Sequence, residues 1–334
     1  MSGSKIIISL ENGQQIITMC LDDLVAKINA DEGANLFVLK NEKKKLDILV
    51  SKDDPNDREI DFPYFGMPIL FPPNRIAGGR FSFNGRDYVL PINDAPGLEN
   101  HVLGFLFFEK WRTKQVRVDE KTCCVTMQYT SSDKSFFYDF FPHLFTVEIE
   151  FILTQHGIVK TTTIINNDVK PMPLGLGWHT FFKIPFSTDG DGDACVLNVT
   201  VGKEWVFDEN YIPTGEMRCN GLEVQCLTGE GFHLSNNAIC KHFGAKPIIL
   251  NERLFNGAII TDKSNGRKLY YEVGNEFGHW MLWNASGNEG FICPEPQTIA
   301  ADGFNLQNRT KEDTGFIALN PEKVFCTYEK IFWE

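Results

Sequence analysis

The sequence has 334 residues, of which 43% are hydrophobic, and this supplies enough apolar material for a large buried core. It carries 44 acidic and 32 basic side chains, and the net charge of −12 disfavours nucleic acid and anionic membranes as partners. No apolar run approaches the roughly 20 residues that span a bilayer, and the first residues lack signal-peptide features. Because the nine cysteines show no CxxC or zinc spacing, we expect reduced thiols in a cytoplasmic protein.

Short segments in which apolar and polar residues alternate predict β-strands along almost the whole chain. Four pairs of these segments are joined by short turns and predict β-hairpins over residues 5–21, 79–92, 145–167 and 257–273. The Asn84-Gly85 turn, which lies between two alternating runs, is the strongest local hairpin signal. A short helical pattern at residues 21–28 competes with an alternation that favours a strand.

The 28 phenylalanines cluster in runs such as FLFF and SFFYDFFPHLF, which are too rich in aromatic residues for a sheet with one solvated face. Two stacked antiparallel sheets would bury such runs between their inner faces. No linker, repeat or low-complexity tract interrupts the pattern. We therefore predict an all-β fold, with one large antiparallel β-sandwich domain over residues 1–334.

His179 is the first candidate for proton transfer. It lies in the segment PLGLGWHTFFKIPF, where Gly175 and Gly177 allow a close approach of the backbone and large aromatic residues surround the imidazole. A histidine gives or takes a proton near neutrality because its ordinary pKa is about 6.5. A core histidine bonded to a backbone carbonyl is the alternative for the same pattern.

Glu295 is the second candidate, because it lies between Pro294 and Pro296 on a stiff, extended segment. The apolar Phe291 and Cys293 precede it, so we expect the carboxylate to lie in a partly dry place. Loss of water raises a carboxyl pKa and makes the group a better base. The alternative is a loop glutamate that caps a turn.

Arg75 is a third candidate, at the end of the rigid segment GMPILFPPNR. From such a position its guanidinium can present a fixed donor fork to hydroxyls or carboxylates. A surface salt bridge is the alternative.

Other chemistries lack support in the motifs. Asp189, Asp191 and Asp193 have calcium-loop spacing, but the sixth and twelfth positions are Ala194 and Thr200 instead of Gly and Glu. No GxGxxG opens a helix and no GxSxG is present, which disfavours a dinucleotide site and a hydrolase nucleophile elbow. The other histidines have no partner at metal-ligand spacing, so no metal site is predicted.

Four segments, in this order, resemble the aldose 1-epimerase family. They are NRIAGGRFSFNGRDYVLPIN at 74–93, LGLGWHTFFKIP at 174–185, YIPTGEM at 211–217, which resembles the linker ahead of the family's second half, and FICPEPQTIAADGFN at 291–305. The resemblance extends from roughly residue 5 to residue 330. It implies a large antiparallel β-sandwich that interconverts the α and β anomers of a free aldose, a small sugar, as an isomerase. It implies no metal and no organic cofactor, and relatives are monomers or homodimers.

The resemblance also implies roles for individual residues. Glu295 is expected to take the proton from the C1 hydroxyl as general base, and His179 to protonate the ring oxygen as general acid. Arg75, with Asn74 beside it, is expected to hold the ring oxygen or a neighbouring hydroxyl. Trp178 is an aromatic candidate for stacking on the sugar ring, with a place in the core as its alternative.

Two positions depart from the family pattern and concern sugar binding. Leu103 stands where the family carries a second histidine, and His101, two residues earlier on an extended strand, is expected to face the same side and substitute for it. The family also offers an aspartate to sugar hydroxyls in a later segment, where this sequence has Asn251 or Glu252.

The sugar-phosphate branch of the superfamily carries arginines where this sequence has Tyr64 or Phe65 and Phe107. A phosphate group would lack its donor forks here, so a neutral sugar is favoured over a hexose 6-phosphate. A non-catalytic carbohydrate-binding or regulatory protein on the same fold remains open because the second histidine is missing. A polysaccharide-processing enzyme would need a second well-placed carboxylate, and none is identified.

Overall fold

The computed structural model of the protein describes residues 3–51, 65–219 and 221–334. Tyr64 lies outside these ranges. Within them, no helix is long and apolar enough to cross a membrane.

The described residues form 30 strands, with two short α-helices and two 3-10 turns between them. The first strands are Ser4–Glu11 (β1), Gln14–Leu21 (β2), Leu24–Asn29 (β3), Asn35–Asn41 (β4), Leu46–Asp47 (β5), Ile69–Leu70 (β6), Arg75–Ala77 (β7), Arg80–Phe83 (β8), Arg86–Val89 (β9), Asn100–Val102 (β10), Arg112–Val118 (β11), Thr122–Thr130 (β12), Phe145–Thr154 (β13), Gly157–Asn166 (β14) and Met172–Leu174 (β15).

The later strands are Gly177–Trp178 (β16), Phe182–Lys183 (β17), Cys195–Val199 (β18), Val201–Phe207 (β19), Pro213–Arg218 (β20), Phe232–His233 (β21), Cys240–Ala245 (β22), Ile248–Leu250 (β23), Arg253–Phe255 (β24), Gly257–Asp262 (β25), Arg267–Val273 (β26), His279–Trp283 (β27), Phe291–Gln297 (β28), Ile317–Leu319 (β29) and Val324–Trp333 (β30). The helices are Leu222–Thr228 (α1) and Gly303–Leu306 (α2), and the 3-10 turns are Leu106–Phe108 and Gly192–Ala194.

The largest sheet has nine strands in the order β11-β12-β13-β14-β30-β26-β25-β18-β21, and neighbouring strands in it run antiparallel. Its centre is the long hairpin β13–β14, in which buried and partly exposed residues alternate, as the sequence pattern predicts. The C-terminal strand β30 inserts between β14 and β26. The C-terminal strand therefore lies in the interior of this sheet.

A second large sheet follows the order β20-β19-β22-β27-β28-β16-β6, with β17 also paired to β28. It packs face to face on the nine-stranded sheet, since the ring of Tyr271 on β26 meets both Phe182 on β17 and Trp280 on β27. A five-stranded sheet, β1 to β5, covers the β12–β13 end. One buried hydrophobic cluster runs through these layers from Ile17 to Ile331.

The turn chemistry explains why the predicted hairpins form. Both residues of each Asn-Gly turn have positive φ angles, which match the right-handed twist of the flanking strands. The angles are 52° for Asn12 and 82° for Gly13, and 51° for Asn84 and 74° for Gly85. The four predicted hairpins and the predicted all-β class are confirmed. Residues 21–28 form the end of β2, a turn and most of β3, so alternation prevails over the helical pattern there. The segment 211–217, which resembles the family's linker, contributes residues 213–217 to the edge strand β20.

A buried ion pair lies between the two large sheets. Lys160 on β14 and Glu329 on β30 are direct register partners, their Nζ and Oε2 atoms are 2.8 Å apart, and their side chains are 2% and 1% exposed. Trp178 of the facing sheet lies against the Lys160 ammonium. Burial lowers the pKa of Lys160 to about 8 and raises the pKa of Glu329 to about 7. Each charge therefore depends on the other to remain in the core.

This pair gives a prediction for stability. We expect Lys160→Met to lower the free energy of unfolding by roughly 3–5 kcal/mol, because it leaves the Glu329 carboxylate buried without its partner. The double variant Lys160→Met with Glu329→Leu removes both charges and should lie within about 1 kcal/mol of the wild type or above it. Urea denaturation of the three proteins measures the difference. Equal destabilisation of the single and double variants would contradict the interpretation.

Candidate active site

A pocket of about 320 Å³ opens on the outer face of the eight-stranded sheet, which is the face turned away from the nine-stranded sheet. The described residues that line it are Asn74, Arg75, Asn93, Asp94, Ala95, Val102, Leu103, His179, Cys240, Met281, Trp283 and Glu295. They come from β7 and β10 with the residues beside them, from the loop between β9 and β10, from the residue after β16, and from the strands β22, β27 and β28. Proton-transfer, hydrogen-bonding and apolar side chains thus meet in one place.

The backbone around Gly177 brings His179 to this pocket. Gly177 pairs with Leu70 on one side and Gln297 on the other, and a Cβ atom added to it would lie 2.8 Å from the Pro73 side chain. Only glycine lets the three segments approach so closely. The His179 backbone N–H then donates to the Pro68 carbonyl at 3.1 Å, which fixes the residue immediately after β16.

The two predicted proton carriers face each other at the inner end of the pocket. Glu295 lies in the middle of β28, directly opposite Met281 on β27, and its Oε1 atom is 3.3 Å from Nε2 of His179. Their side chains are only 4% and 5% exposed. The His179 ring stacks on Phe181 at 4.6 Å between centroids and meets Trp283 edge-on at 5.7 Å. Aromatic packing thus fixes the imidazole plane.

Burial decides the protonation of this pair. It lowers the pKa of His179 to about 3, because a buried imidazolium loses its water. Burial also raises the pKa of Glu295 well above its usual range, while the charge of Arg75 and the hydrogen bond from Gln297 oppose this rise. Burial therefore favours the uncharged form of each group.

A chain of amides links the carboxyl of Glu295 to Arg75. Gln297 donates through Nε2 to Oε2 of Glu295 at 3.4 Å, and Asn74 donates through Nδ2 to Oε1 of Gln297 at 3.2 Å. The Oδ1 atom of Asn74 accepts the backbone N–H of Arg75 at 3.0 Å. Asn74 has a φ of 57°, a conformation that asparagine tolerates better than most residues. The chain holds the carboxyl and the arginine in a fixed relation.

The guanidinium of Arg75 is itself fixed by neighbours. Its Nε and Nη2 atoms donate to the two oxygens of Asp94 at 2.7 and 3.4 Å, and the Tyr211 ring lies 5.0 Å from it. Burial would raise the pKa of Asp94, but hydrogen bonds from Arg75 and Asn100 outweigh this effect and lower it. Asp94 is therefore a carboxylate that accepts hydrogen bonds at the edge of the pocket.

The structure brings four of the predicted site residues together in the pocket: Asn74, Arg75, His179 and Glu295. Trp178 faces the opposite way, because neighbouring residues on an extended strand point to opposite sides of the sheet. It is fully buried against Lys160 in the inter-sheet core, so the expected stacking on a sugar does not fit its position.

His101, Asn251 and Glu252 also lie outside the lining of this pocket. The expected equivalence of His101 and Leu103 fails because Leu103 has a φ of 66°, and the chain is no longer extended there. The buried His101 ring instead has its Nδ1 atom 2.8 Å from the Pro91 carbonyl oxygen. Asn251 and Glu252 form the exposed turn between β23 and β24, with φ angles of 50° and 65°.

Several residues that line the pocket are not among the predicted site residues. Asn93 ends the segment 74–93, which resembles the family, and Asp94 follows it directly. Its position next to this segment could have indicated Asp94 as a site residue. Met281 and Trp283 lie on β27, whose five residues are buried or nearly buried on both faces of the sheet. The sequence of such a strand does not alternate between apolar and polar residues, so it does not indicate which residues face a pocket. Asp94 places a carboxylate at this pocket, whereas Asn251 and Glu252, which stand where the family offers an aspartate, lie outside its lining. Among the described residues, no group of three or more His, Cys, Asp or Glu side chains could hold a metal ion.

The protein is therefore a large antiparallel β-sandwich with a buried histidine–glutamate pair in a pocket lined by polar and apolar side chains. The family model for aldose 1-epimerase matches residues 15–327, and the chain belongs to the aldose 1-epimerase family.

Solved structures agree with this assignment. A galactose mutarotase-like protein from Clostridium acetobutylicum is 28% identical, with a TM-score of 0.92 over 99% of each chain. Galactose 1-epimerase from Lactobacillus acidophilus NCFM is 16% identical, with a TM-score of 0.71 over 100% of this chain and 99% of its own, and shares the fold. Among curated proteins, the uncharacterized protein YphB of Escherichia coli (strain K12) is 25% identical over 121 residues. That match covers 35% of this chain and 37% of YphB.

The burial of His179 predicts its charge state. We expect the ring nitrogens of His179 to keep the ¹⁵N shifts of a neutral imidazole from about pH 8 down to about pH 5, because burial lowers the pKa to about 3. Two-dimensional ¹H–¹⁵N NMR of the histidine rings measures this, and the signal missing from His179→Asn identifies the residue. A titration with a midpoint near the ordinary value of about 6.5 would contradict the buried placement.

Proposed function

We propose that the protein is an aldose 1-epimerase that interconverts the α and β anomers of a neutral aldose. The contact of 3.3 Å between Nε2 of His179 and Oε1 of Glu295, at the inner end of a polar pocket, carries this proposal. In a cyclic aldose, the C1 hydroxyl and the ring oxygen are both bonded to C1. One sugar carbon can therefore present one oxygen to each member of the pair.

In the proposed reaction, Glu295 takes the proton of the C1 hydroxyl while His179 gives a proton to the ring oxygen. The electrons of the O–H bond form the C1 carbonyl, and those of the C1–ring oxygen bond pass to the ring oxygen. The open chain rotates about C1–C2, and closure on the other carbonyl face returns both protons.

These roles need the single proton of the pair on His179 when the sugar is bound. Burial favours the protonated carboxyl of Glu295, and its Oε1 atom is within direct reach of Nε2 of His179 at 3.3 Å. The positive charge of Arg75 lowers the pKa of Glu295 and thus favours the ionised carboxylate. Hydroxyl groups of a bound sugar would donate to this carboxylate and favour the same transfer. The pair then carries one acid and one base, as the reaction requires.

The surrounding polar groups suit a neutral sugar. Asn74 and Asn93 offer amides, and Asp94 offers carboxylate oxygens to hydroxyl groups. Among the described lining residues, Arg75 supplies the guanidinium, and it is already engaged by Asp94. Phe107, at one of the arginine positions of the sugar-phosphate branch, is buried. These contacts favour an uncharged aldose over a hexose 6-phosphate.

Leu103 favours one second candidate, a carbohydrate-binding protein without turnover. It lines the pocket where the family carries a histidine, so one polar contact to the sugar is replaced by an apolar one. Saturable binding of an aldose, without faster exchange between its anomers, would support this candidate over the first.

The proposed pair predicts the effect of two substitutions. We expect Glu295→Gln to reduce kcat/KM for anomer exchange by about 10²- to 10⁴-fold, because the amide cannot accept the C1 proton as a base. Glu252→Gln is the matched control, and it should leave the rate unchanged because Glu252 lies on an exposed turn outside the pocket. Polarimetry or NMR on freshly dissolved α-anomers measures both. Equal rates for the two variants would contradict the role of Glu295.

The pKa of Glu295 predicts the pH dependence of the reaction. As the pH rises through the raised pKa of Glu295, the pair loses its single proton, and kcat/KM should fall. Because the charge of Arg75 lowers this pKa, Arg75→Met should move the alkaline limb of the pH–rate profile to higher pH, whatever it does to the maximal rate. Arg80→Met, at an exposed position of β8, is the control. A limb that stays in place or moves to lower pH would show that the pair does not titrate as described.

A further inference from the structure

The first strand, β1, forms an edge of the five-stranded sheet and exposes apolar side chains there. Among the described residues, β1 is hydrogen-bonded only to β2, and all eight of its residues pair in register without a bulge. Ile7, Ile8 and Leu10 are 44%, 48% and 78% exposed. A long, regular and apolar edge strand is a template for pairing with another strand.

The other edge strands of the three large sheets carry features that hinder such pairing. The strands β5, β6 and β21 have two residues each. A bulge between Thr113 and Gln115 interrupts β11, which also carries three basic residues. The strand β20 begins at Pro213, and its pairing with β19 shifts in register. Among the edge strands that the structure describes in these sheets, β1 therefore lacks the usual protection.

The backbone groups at the open edge of β1 belong to its even-numbered residues. Leu10 lies opposite Gln15, but the Gln15 N–H donates to Asp31 and its carbonyl accepts the N–H of Ala30, each at 2.9 Å and on the side of β3. The Leu10–Gln15 pair thus exchanges no hydrogen bonds, and such pairs alternate with bonded ones along an antiparallel ladder. The N–H and C=O groups that point outward are those of Ser4, Ile6, Ile8 and Leu10.

A second copy of β1, running antiparallel, offers matching groups and matching charges. Two such strands pair with even-numbered residues opposite even-numbered ones, because these carry the outward groups. In the register with Ile8 on the twofold axis, Lys5 of each copy lies opposite Glu11 of the other. Lys5 is exposed, and the Glu11 side chain is 38% exposed. Opposite charges that face each other across two strands stabilise the pairing.

Apolar side chains of the neighbouring sheet are exposed at the same margin. Val116 and Val118 on β11 lie opposite the buried Val125 and Cys123, so they face the five-stranded sheet. Cys123 lies under β2, since its Sγ atom is 3.2 Å from the Cys20 carbonyl oxygen. Val116 and Val118 are nevertheless 40% and 45% exposed. A strand added beside β1 would extend the cover over this margin and remove apolar surface from water.

We propose that the protein forms a symmetric homodimer in which β1 of one copy pairs antiparallel with β1 of the other, centred on Ile8. The two five-stranded sheets then form one continuous sheet across the twofold axis. The paired strands contain no residue of the pocket, so this inference does not rest on the proposed function.

Sedimentation velocity of the full chain at several concentrations tests the dimer. We expect the wild type to sediment with twice the mass of the chain. Ile8→Lys should raise the dissociation constant of the dimer by about 100-fold or more, because it places two like charges together on the axis. Ile249→Lys, at an exposed isoleucine of β23, is the matched control and should leave the dissociation constant unchanged.

The register is tested by two charge reversals. Lys5→Glu and Glu11→Lys should each raise the dissociation constant by about 10-fold, because like charges then face each other at both ends of the pairing. An equimolar mixture of these two variants should recover the wild-type dissociation constant, since every facing pair in the mixed dimer again has opposite charges. Circular dichroism of all variants checks that they are folded, and Lys5→Glu, at an exposed position, replaces Ile8→Lys if the latter does not fold.

The outcomes bear on the dimer and on its register separately. A monomeric wild type at every concentration, or equal dissociation constants for Ile8→Lys and Ile249→Lys, would overturn the pairing through β1. If the mixture of charge-reversed variants dimerises no more tightly than either variant by itself, the register centred on Ile8 is wrong.

Discussion

His179 and Glu295 are in contact at a place from which water is excluded. The properties of the rest of the site depend on this exclusion of water. Each group alone would resist its charged form, because burial lowers the pKa of the imidazole and raises the pKa of the carboxyl. Their Nε2 and Oε1 atoms lie 3.3 Å apart, which is close enough for direct transfer of a proton between them. The amide chain through Gln297 and Asn74 holds this pair in relation to Arg75.

The sheet around β16 serves two purposes at once. Trp178 points into the core, where it covers the buried pair of Lys160 and Glu329, and the next residue, His179, points into the pocket. Because Trp178 is packed against the nine-stranded sheet, the position of the neighbouring His179 in the pocket is fixed as well. Gly177 permits this arrangement, because any larger residue would push Pro73 and Gln297 away from the strand.

Much of the fold follows from local rules in the sequence. Alternation and Asn-Gly turns predict the hairpins, and they were enough for the all-β class. The pocket was predicted less completely, because His179 and Glu295 are distant in sequence and were paired through a family resemblance. No local sequence pattern indicates the positive φ of Leu103. Because of this φ angle, Leu103 and His101 do not alternate as residues of an extended strand would. The pocket residues on β27, Met281 and Trp283, had no such signal either, since that strand is covered on both faces.

We propose that the His179–Glu295 pair exchanges the anomers of a free aldose. NMR exchange spectroscopy on equilibrium mixtures of neutral aldoses, with wild-type protein at several concentrations, measures this exchange. We expect the rate of exchange between α and β signals to rise in proportion to protein concentration for at least one sugar. An exchange rate equal to that of buffer for every free aldose would contradict it.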